Sequence, residues 1–121
     1  MKNIIIDLDG TITIDNKNKE YFEKDVNLKV VKKLKEYKKN GFKIIIFTAR
    51  NMNTFKGDLN KISKYTLPVI QEWLNSKKVP YDEIIIGKPW CGFDGFYVDD
   101  KSIRPDEFSN LSYDEINQLI K

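Results

Sequence analysis

Asn3-Ile4-Ile5-Ile6-Asp7-Leu8-Asp9-Gly10-Thr11 is a short apolar run that ends in two carboxylates two positions apart. Side chains two apart on an extended backbone point the same way. Gly10 permits a sharp turn that can lift the second carboxylate over the first. Such a pair suits phosphoryl chemistry, in which one aspartate attacks phosphorus and carries it as an acyl phosphate. Its neighbour then handles the leaving group's proton.

Three further runs share this character: Lys43-Ile44-Ile45-Ile46-Phe47, Glu83-Ile84-Ile85-Ile86 and Gly95-Phe96-Tyr97-Val98. They are short, β-branched or aromatic and non-alternating, the pattern of strands buried on both faces of a parallel sheet. Each is followed at once by a chemically useful residue: Thr48, then Gly87 and Lys88, then Asp99 and Asp100. In an open α/β sheet ligands bind outside the carboxyl ends of the strands, so all four sets are expected along one edge.

Between these runs the chain reads as helix and loop. Thr11 to Lys24 is polar and expected to form a small flap or hairpin over the site. Asp25 reads as an N-cap for a helix carrying Val26, Val30, Leu34 and Tyr37, stopped by Asn40-Gly41. Ala49 to Tyr65 reads as a binding loop with a short helical piece. Thr66 is expected to cap a helix with Pro68 in its first turn and Leu67, Ile70, Trp73 and Leu74 as its apolar stripe, ending near Lys78. Gly87 to Asp94 is too short for a helical crossover, so one sheet face is expected to lack a helix of its own. The C-terminal segment or a second copy of the protein would cover it. Ser112-Tyr113-Asp114-Glu115 is a capping box opening a last helix, Tyr113 to Ile120, with Leu111 and Ile116 as its hydrophobic staple.

The whole chain, 121 residues, reads as one domain with no separate cap. Its 21 basic and 18 acidic residues leave a net charge of +3. The basic residues sit in mixed segments such as Lys29 to Lys39, the wet face of a helix, so no nucleic-acid partner is expected. The chain has no histidine, which excludes Ser-His-Asp triads, histidine general bases and histidine zinc sites. The single cysteine, Cys91, excludes an internal disulfide. An apolar N-terminus of about six residues is far short of a signal or membrane segment, so a cytoplasmic protein without a membrane partner is expected.

Taken singly, Asp7 and Asp9 would be turn formers, Thr48 a helix cap, Lys88 a solvated loop residue and Asp99-Asp100 a turn. Their joint order on strand ends, spanning positions 7 to 100, resembles the four-motif pattern of the haloacid dehalogenase superfamily. The chain is also similar, more narrowly, to the small capless phosphatases encoded in bacterial capsule-biosynthesis loci. That likeness runs through Phe47-Thr48-Ala49-Arg50-Asn51-Met52, Tyr81-Asp82-Glu83, Gly87-Lys88-Pro89-Trp90-Cys91-Gly92, and Val98-Asp99-Asp100 through Ile103-Arg104-Pro105-Asp106-Glu107-Phe108.

The resemblance implies a Mg²⁺-dependent phosphatase of a small phosphorylated sugar, polyol or amino alcohol feeding a surface polysaccharide. Asp7 would be the nucleophile and Asp9 the acid and base. The Asp7 carboxylate, the Asp9 carbonyl and an acid from Asp99 or Asp100 would hold Mg²⁺. Thr48 and Lys88 would bind the phosphate, with Leu8, Ala49, Arg50 and Asn51 completing the substrate-binding set. Asn53, Lys56 and Arg104 also flank the strand ends. An open site would also admit a macromolecular phosphate, and the same aspartyl phosphate would serve a phosphotransferase. A receiver-like signalling module is the reading from another class. Its phosphorylated aspartate would lie after the third strand, where this chain has Gly87-Lys88 instead.

Overall fold

The computed structural model describes residues 2–121. They form two compact units, the first ending at Trp90 and the second spanning Cys91–Lys121.

The first unit is built on three parallel strands, β1 (Asn3–Ile6), β2 (Lys43–Thr48) and β3 (Glu83–Ile86), in the order β1-β2-β3. Its core holds Ile6, Leu8, Ile12, Ile44, Ile46, Ile70, Trp73 and Leu74. The expectation that every strand is buried on both faces is corrected here. The central strand is the best covered, with Ile44, Ile45, Ile46 and Thr48 buried, whereas Ile5 of β1 is 66% exposed and Ile85 of β3 40% exposed. Ile5, Ile45, Phe47 and Ile85 share one sheet face by strand alternation and register, and Ile4, Ile6, Ile44 and Ile46 share the other. The first of these faces carries the exposed isoleucines.

Helix α1 (Leu28–Lys39) buries Val30, Val31, Leu34 and Tyr37 and stops at Asn40 and Gly41, whose φ is +85°. Its cap is Asn27, whose Oδ1 accepts the Val30 N–H, and not Asp25. An antiparallel bridge between Thr13 and Val26 holds the preceding chain extended, and Asp25 pairs with Lys19 at 3.1 Å.

The second helical stretch starts earlier than Thr66. Asp58 caps α2 (Leu59–Lys61), a π turn follows over Ile62–Thr66, and α3 (Leu67–Ser76) continues from it. Thr66 has helical dihedrals and makes no cap bond. The reason lies in Pro68, which lacks an N–H and crowds the carbonyl four residues back. A widened turn just upstream accommodates that misfit without ending the helix.

The second unit contains α4 (Pro105–Asn110) and α5 (Tyr113–Leu119). The capping box is present: Ser112 Oγ accepts the Glu115 N–H at 3.2 Å and Glu115 Oε1 accepts the Ser112 N–H at 2.9 Å. The fourth strand expected at Gly95–Val98 is absent among the described residues. A strand exists only through pairing, and this unit holds no other. Gly95 closes a turn instead, where an added Cβ would fall 2.1 Å from the Cys91 carbonyl oxygen.

Candidate active site

The three strands run parallel, so their carboxyl ends share one edge. Asp7 follows β1, Thr48 closes β2 and Lys88 follows β3 after Gly87. The Lys88 N–H donates to the Thr48 carbonyl at 3.1 Å and ties two of these ends together. Gly87 has φ +86°, and a Cβ there would lie 2.8 Å from Leu59 Cδ2, so glycine is required for the chain to turn into Lys88.

The turn after β1 is wound tightly around one carbonyl. Leu8 oxygen accepts the N–H groups of Thr11, Ile12 and Thr13 at 3.2, 2.9 and 3.0 Å. Gly10 sits at φ +80° and donates its N–H to Thr13 Oγ1 at 3.1 Å. Leu8, Ile12 and Thr13 are buried beneath this turn, which fixes the backbone carrying Asp7 and Asp9. Leu8 therefore contributes only its backbone.

Asp7 accepts the Thr11 hydroxyl on Oδ2 at 3.2 Å and the Lys88 ammonium on Oδ1 at 3.5 Å. Burial pushes its carboxyl up from the ordinary carboxylate value, and Lys88 and the Thr11 hydroxyl pull it only part of the way back.

Asp9 lies in a different field. Arg50 grips it with Nε to Oδ2 at 3.0 Å and Nη2 to Oδ1 at 2.8 Å, and Lys24 Nζ adds a bond to Oδ1 at 3.2 Å. Burial works to raise this carboxyl, but the Arg50 hydrogen bonds and the two cations outweigh it and hold Asp9 below the usual range. The Arg50 side chain is 1% exposed. The Tyr21 ring covers it, with the guanidinium carbon 4.1 Å from the ring centroid.

Thr48 is buried, and its Oγ1 accepts the Arg50 N–H at 3.1 Å, leaving its own O–H to donate elsewhere. Ala49 is half-buried and accepts the Met52 N–H at 3.0 Å. Asn51 has φ +62°, accepts the Thr66 hydroxyl at 2.7 Å and donates to Thr54 Oγ1 at 3.3 Å. These contacts make Asn51 a brace between its loop and the π turn. Asn53 and Lys56 are exposed.

Asp7, Asp9, Thr48, Arg50 and Lys88 are thus joined by hydrogen bonds within the first unit. Asp99 and Asp100 belong to the second, where both are exposed and Asp99 Oδ1 accepts the Lys101 N–H at 2.9 Å, which holds its carboxyl low. Arg104 also lies there, its N–H donating to Glu107 Oε1 at 2.7 Å. Lys24 and Tyr21 had no individual signal in the sequence. They fall in the polar flap, and a lysine there looks like any solvated lysine until the fold turns it onto Asp9.

The oxygen donors of the turn suit a hard divalent cation. The Asp7 carboxylate is 37% exposed and its burial is incompletely compensated. The Asp9 carbonyl, unlike that of Leu8, accepts no backbone N–H among the described residues. Among those residues no group of three or more His, Cys, Asp or Glu side chains stands together to hold a metal. Mg²⁺ needs few protein ligands because it keeps several waters, so two oxygens from this turn fit it. The Asp9 carboxylate is taken by Arg50 and Lys24.

Residues 4–121 match the family model of haloacid dehalogenase-like hydrolases. A crystal structure of a structural-genomics target from Vibrio cholerae superposes with a TM-score of 0.96 at 52% identity, over 99% of this chain and 97% of that one. A chain of the Pnkp1/Rnl/Hen1 complex aligns with a TM-score of 0.53 at 24% identity, over 70% of this chain and 27% of its own. A second structure, described as the Pnkp1/Rnl/Hen1 RNA repair complex, gives 0.51 at 20% identity over 76% and 27%. No curated protein matches. No helix among the described residues is long and apolar enough to cross a membrane.

Proposed function

Since the chain belongs to the haloacid dehalogenase-like hydrolases, we propose that it hydrolyses a phosphate monoester through an aspartyl phosphate at Asp7. The observation that carries this reading is the contrast between two neighbouring carboxylates. Asp7 is partly open beside Lys88, while Asp9 is gripped by Arg50 and Lys24. A nucleophile needs an accessible oxygen, and a proton carrier needs a fixed position.

In the first half-reaction an Asp7 oxygen attacks phosphorus, and the bond from phosphorus to the leaving oxygen breaks. Asp9 must first take up a proton, against the Arg50 and Lys24 contacts that hold its carboxyl low, and then gives that proton to the leaving oxygen. In the second half-reaction Asp9 takes a proton from water, the water oxygen attacks phosphorus, and the bond to Asp7 breaks. Inorganic phosphate leaves and both aspartates return to their starting state. Thr48 would donate its hydroxyl to a phosphate oxygen, and Lys88 would offset the charge gathered around Asp7. Mg²⁺, held by the Asp7 carboxylate and the Asp9 carbonyl, would neutralise phosphate charge.

The substrate we favour is a small phosphorylated sugar, polyol or amino alcohol used in capsule or surface-polysaccharide synthesis. Its support is the likeness to capless phosphatases from such loci and a segment between β1 and α1 too short to be a cap domain. The Pnkp1 likeness is one of fold and carries no substrate. Phosphate release from a panel of such esters, with Mg²⁺ and with EDTA, tests the reading. Transfer of phosphate to an alcohol in place of water would mark a phosphotransferase.

A further inference from the structure

Strand β1 lies at an edge of the sheet, paired with β2 on one side alone, and its Ile5 is 66% exposed. An edge strand offers a row of backbone donors and acceptors on which a further strand can pair. The same chain holds a four-residue run of strand composition, residues 95–98, that belongs to no strand, and its Phe96 and Val98 are 81% and 87% exposed. Asp99 and Asp100 follow that run directly and are exposed as well. The chain exposes 8336 Å² of surface, whereas a folded monomer of its 14.2 kDa exposes about 6,800 Å². The excess, about 1,500 Å² per chain, falls in the range that each subunit of an obligate homodimer buries.

We propose that the chain works as a dimer in which residues 95–98 of each copy pair as a fourth, parallel strand on β1 of the other, so that the partner's Asp99 and Asp100 complete the site around Asp7. The role of those two carboxylates rests on the Mg²⁺-dependent phosphatase reading above; the pairing does not. Both segments are four residues long, so setting Gly95 against Asn3 brings Phe96 beside Ile4, Tyr97 beside Ile5, Val98 beside Ile6 and Asp99 beside Asp7. Phe96 and Val98 then extend the sheet face of Ile4, Ile6, Ile44 and Ile46, and Tyr97 falls next to the exposed Ile5. An antiparallel strand would carry the carboxylates to Asn3, at the far end of β1 from Asp7. Neighbouring strands lie about 4.8 Å apart, so parallel pairing sets a third carboxylate beside the two turn oxygens that suit Mg²⁺. Among the described residues of one copy no such group of three stands together, and the exchange supplies the missing acid. Each copy gives one strand and receives one, so the contact closes at two chains.

Cross-linking tests the pairing without any activity. Paired residues on neighbouring strands lie within disulfide reach. In a Cys91→Ser background, the single variants Ile5→Cys and Tyr97→Cys, co-expressed, should oxidise to a covalent dimer joining the two different chains. A disulfide that forms inside the Ile5→Cys/Tyr97→Cys double variant, but not between the single variants, would put the strand on its own chain and overturn the exchange. Sedimentation of the wild type should give twice the 14.2 kDa chain mass, and a single-chain mass would overturn it equally. Complementation then tests the site. Asp7→Asn and the double variant Asp99→Asn/Asp100→Asn should each release phosphate at background. Co-expressed, they should recover about a quarter of wild-type release, because half of the dimers are mixed and each mixed dimer holds one intact site. Background release from the mixture, or near-wild-type release by Asp99→Asn/Asp100→Asn alone, would overturn the shared site. If the wild type releases no phosphate while the chains still cross-link, the phosphatase reading fails and the strand exchange stands.

Discussion

Arg50 and Asp9 meet through two hydrogen bonds, Nε to Oδ2 at 3.0 Å and Nη2 to Oδ1 at 2.8 Å, and this pair sets the surroundings of Asp9 apart from those of Asp7. Both carboxylate oxygens of Asp9 accept from cations, which leaves its backbone carbonyl as the oxygen without a backbone N–H partner among the described residues. Asp7 carries a weaker set of partners, Lys88 at 3.5 Å and Thr11 at 3.2 Å, and keeps a partly open side chain. The geometry gives the two carboxylates different surroundings within three residues of sequence, and the proposed roles of nucleophile and proton carrier rest on that difference.

Lys88 opposes the burial that raises the Asp7 carboxyl. Removing the ammonium in Lys88→Met should therefore raise that carboxyl further, so that ionising Asp7 requires a higher pH. The acid limb of kcat/KM should move to higher pH and the plateau should fall by about 100-fold or more. A pH–rate profile of the variant against wild type checks this; an acid limb that stays in place would speak against Lys88 as the partner of Asp7.

Thr48 gives its oxygen to the Arg50 N–H and has its hydroxyl proton left to donate. Thr48→Val keeps the shape and loses both functions. The expected loss is about 100-fold in kcat/KM, equal for aryl and alkyl esters because the lost donor acts on the phosphate and not on the leaving group. Thr48→Ser should retain most activity. Steady-state kinetics on the two ester classes check that equality.

Asp82 joins the strands away from the site. Its Oδ2 accepts the Ile44 N–H at 2.8 Å, its N–H donates to the Ile44 carbonyl at 2.8 Å, and Lys38 pairs with its other oxygen. The Ile44 bond, aided by Lys38, holds its carboxyl below the ordinary range. Asp82→Ala leaves the buried Ile44 N–H unpaired and should cost about 1–3 kcal/mol in denaturant unfolding. A folded value below the unfolded one means the stabilisation is present above the ordinary carboxylate range and lost as pH falls. The gap between wild type and variant should hold above about pH 5 and close below about pH 4.

Much of this was legible in the sequence because strand identity and strand-end chemistry are local. Three isoleucine-rich runs became β1, β2 and β3, and Asp7, Thr48 and Lys88 fell at their ends. The Ser112 capping box was equally readable, since both of its bonds lie within four residues. Non-local effects were not readable. Asp25 lost the cap to Asn27 because Val26 pairs with Thr13. Thr66 was carried into a helix that starts at Leu59 because a π turn absorbs the misfit of Pro68. Gly95–Val98 has strand composition but no partner strand in its own unit. Lys24 and Tyr21 reach Asp9 and Arg50 only once the flap folds over and the Trp73 indole N–H anchors it at the Lys24 carbonyl.

The nucleophilic role of Asp7 is tested most directly by phosphate release from a panel of small phosphomonoesters, run with Mg²⁺, with EDTA, and with Asp7→Asn. The expected result is release by wild type with Mg²⁺ that falls to background both on adding EDTA and in Asp7→Asn. The variant should remain folded by circular dichroism. Release by folded Asp7→Asn at a rate near that of wild type would contradict the aspartyl-phosphate route.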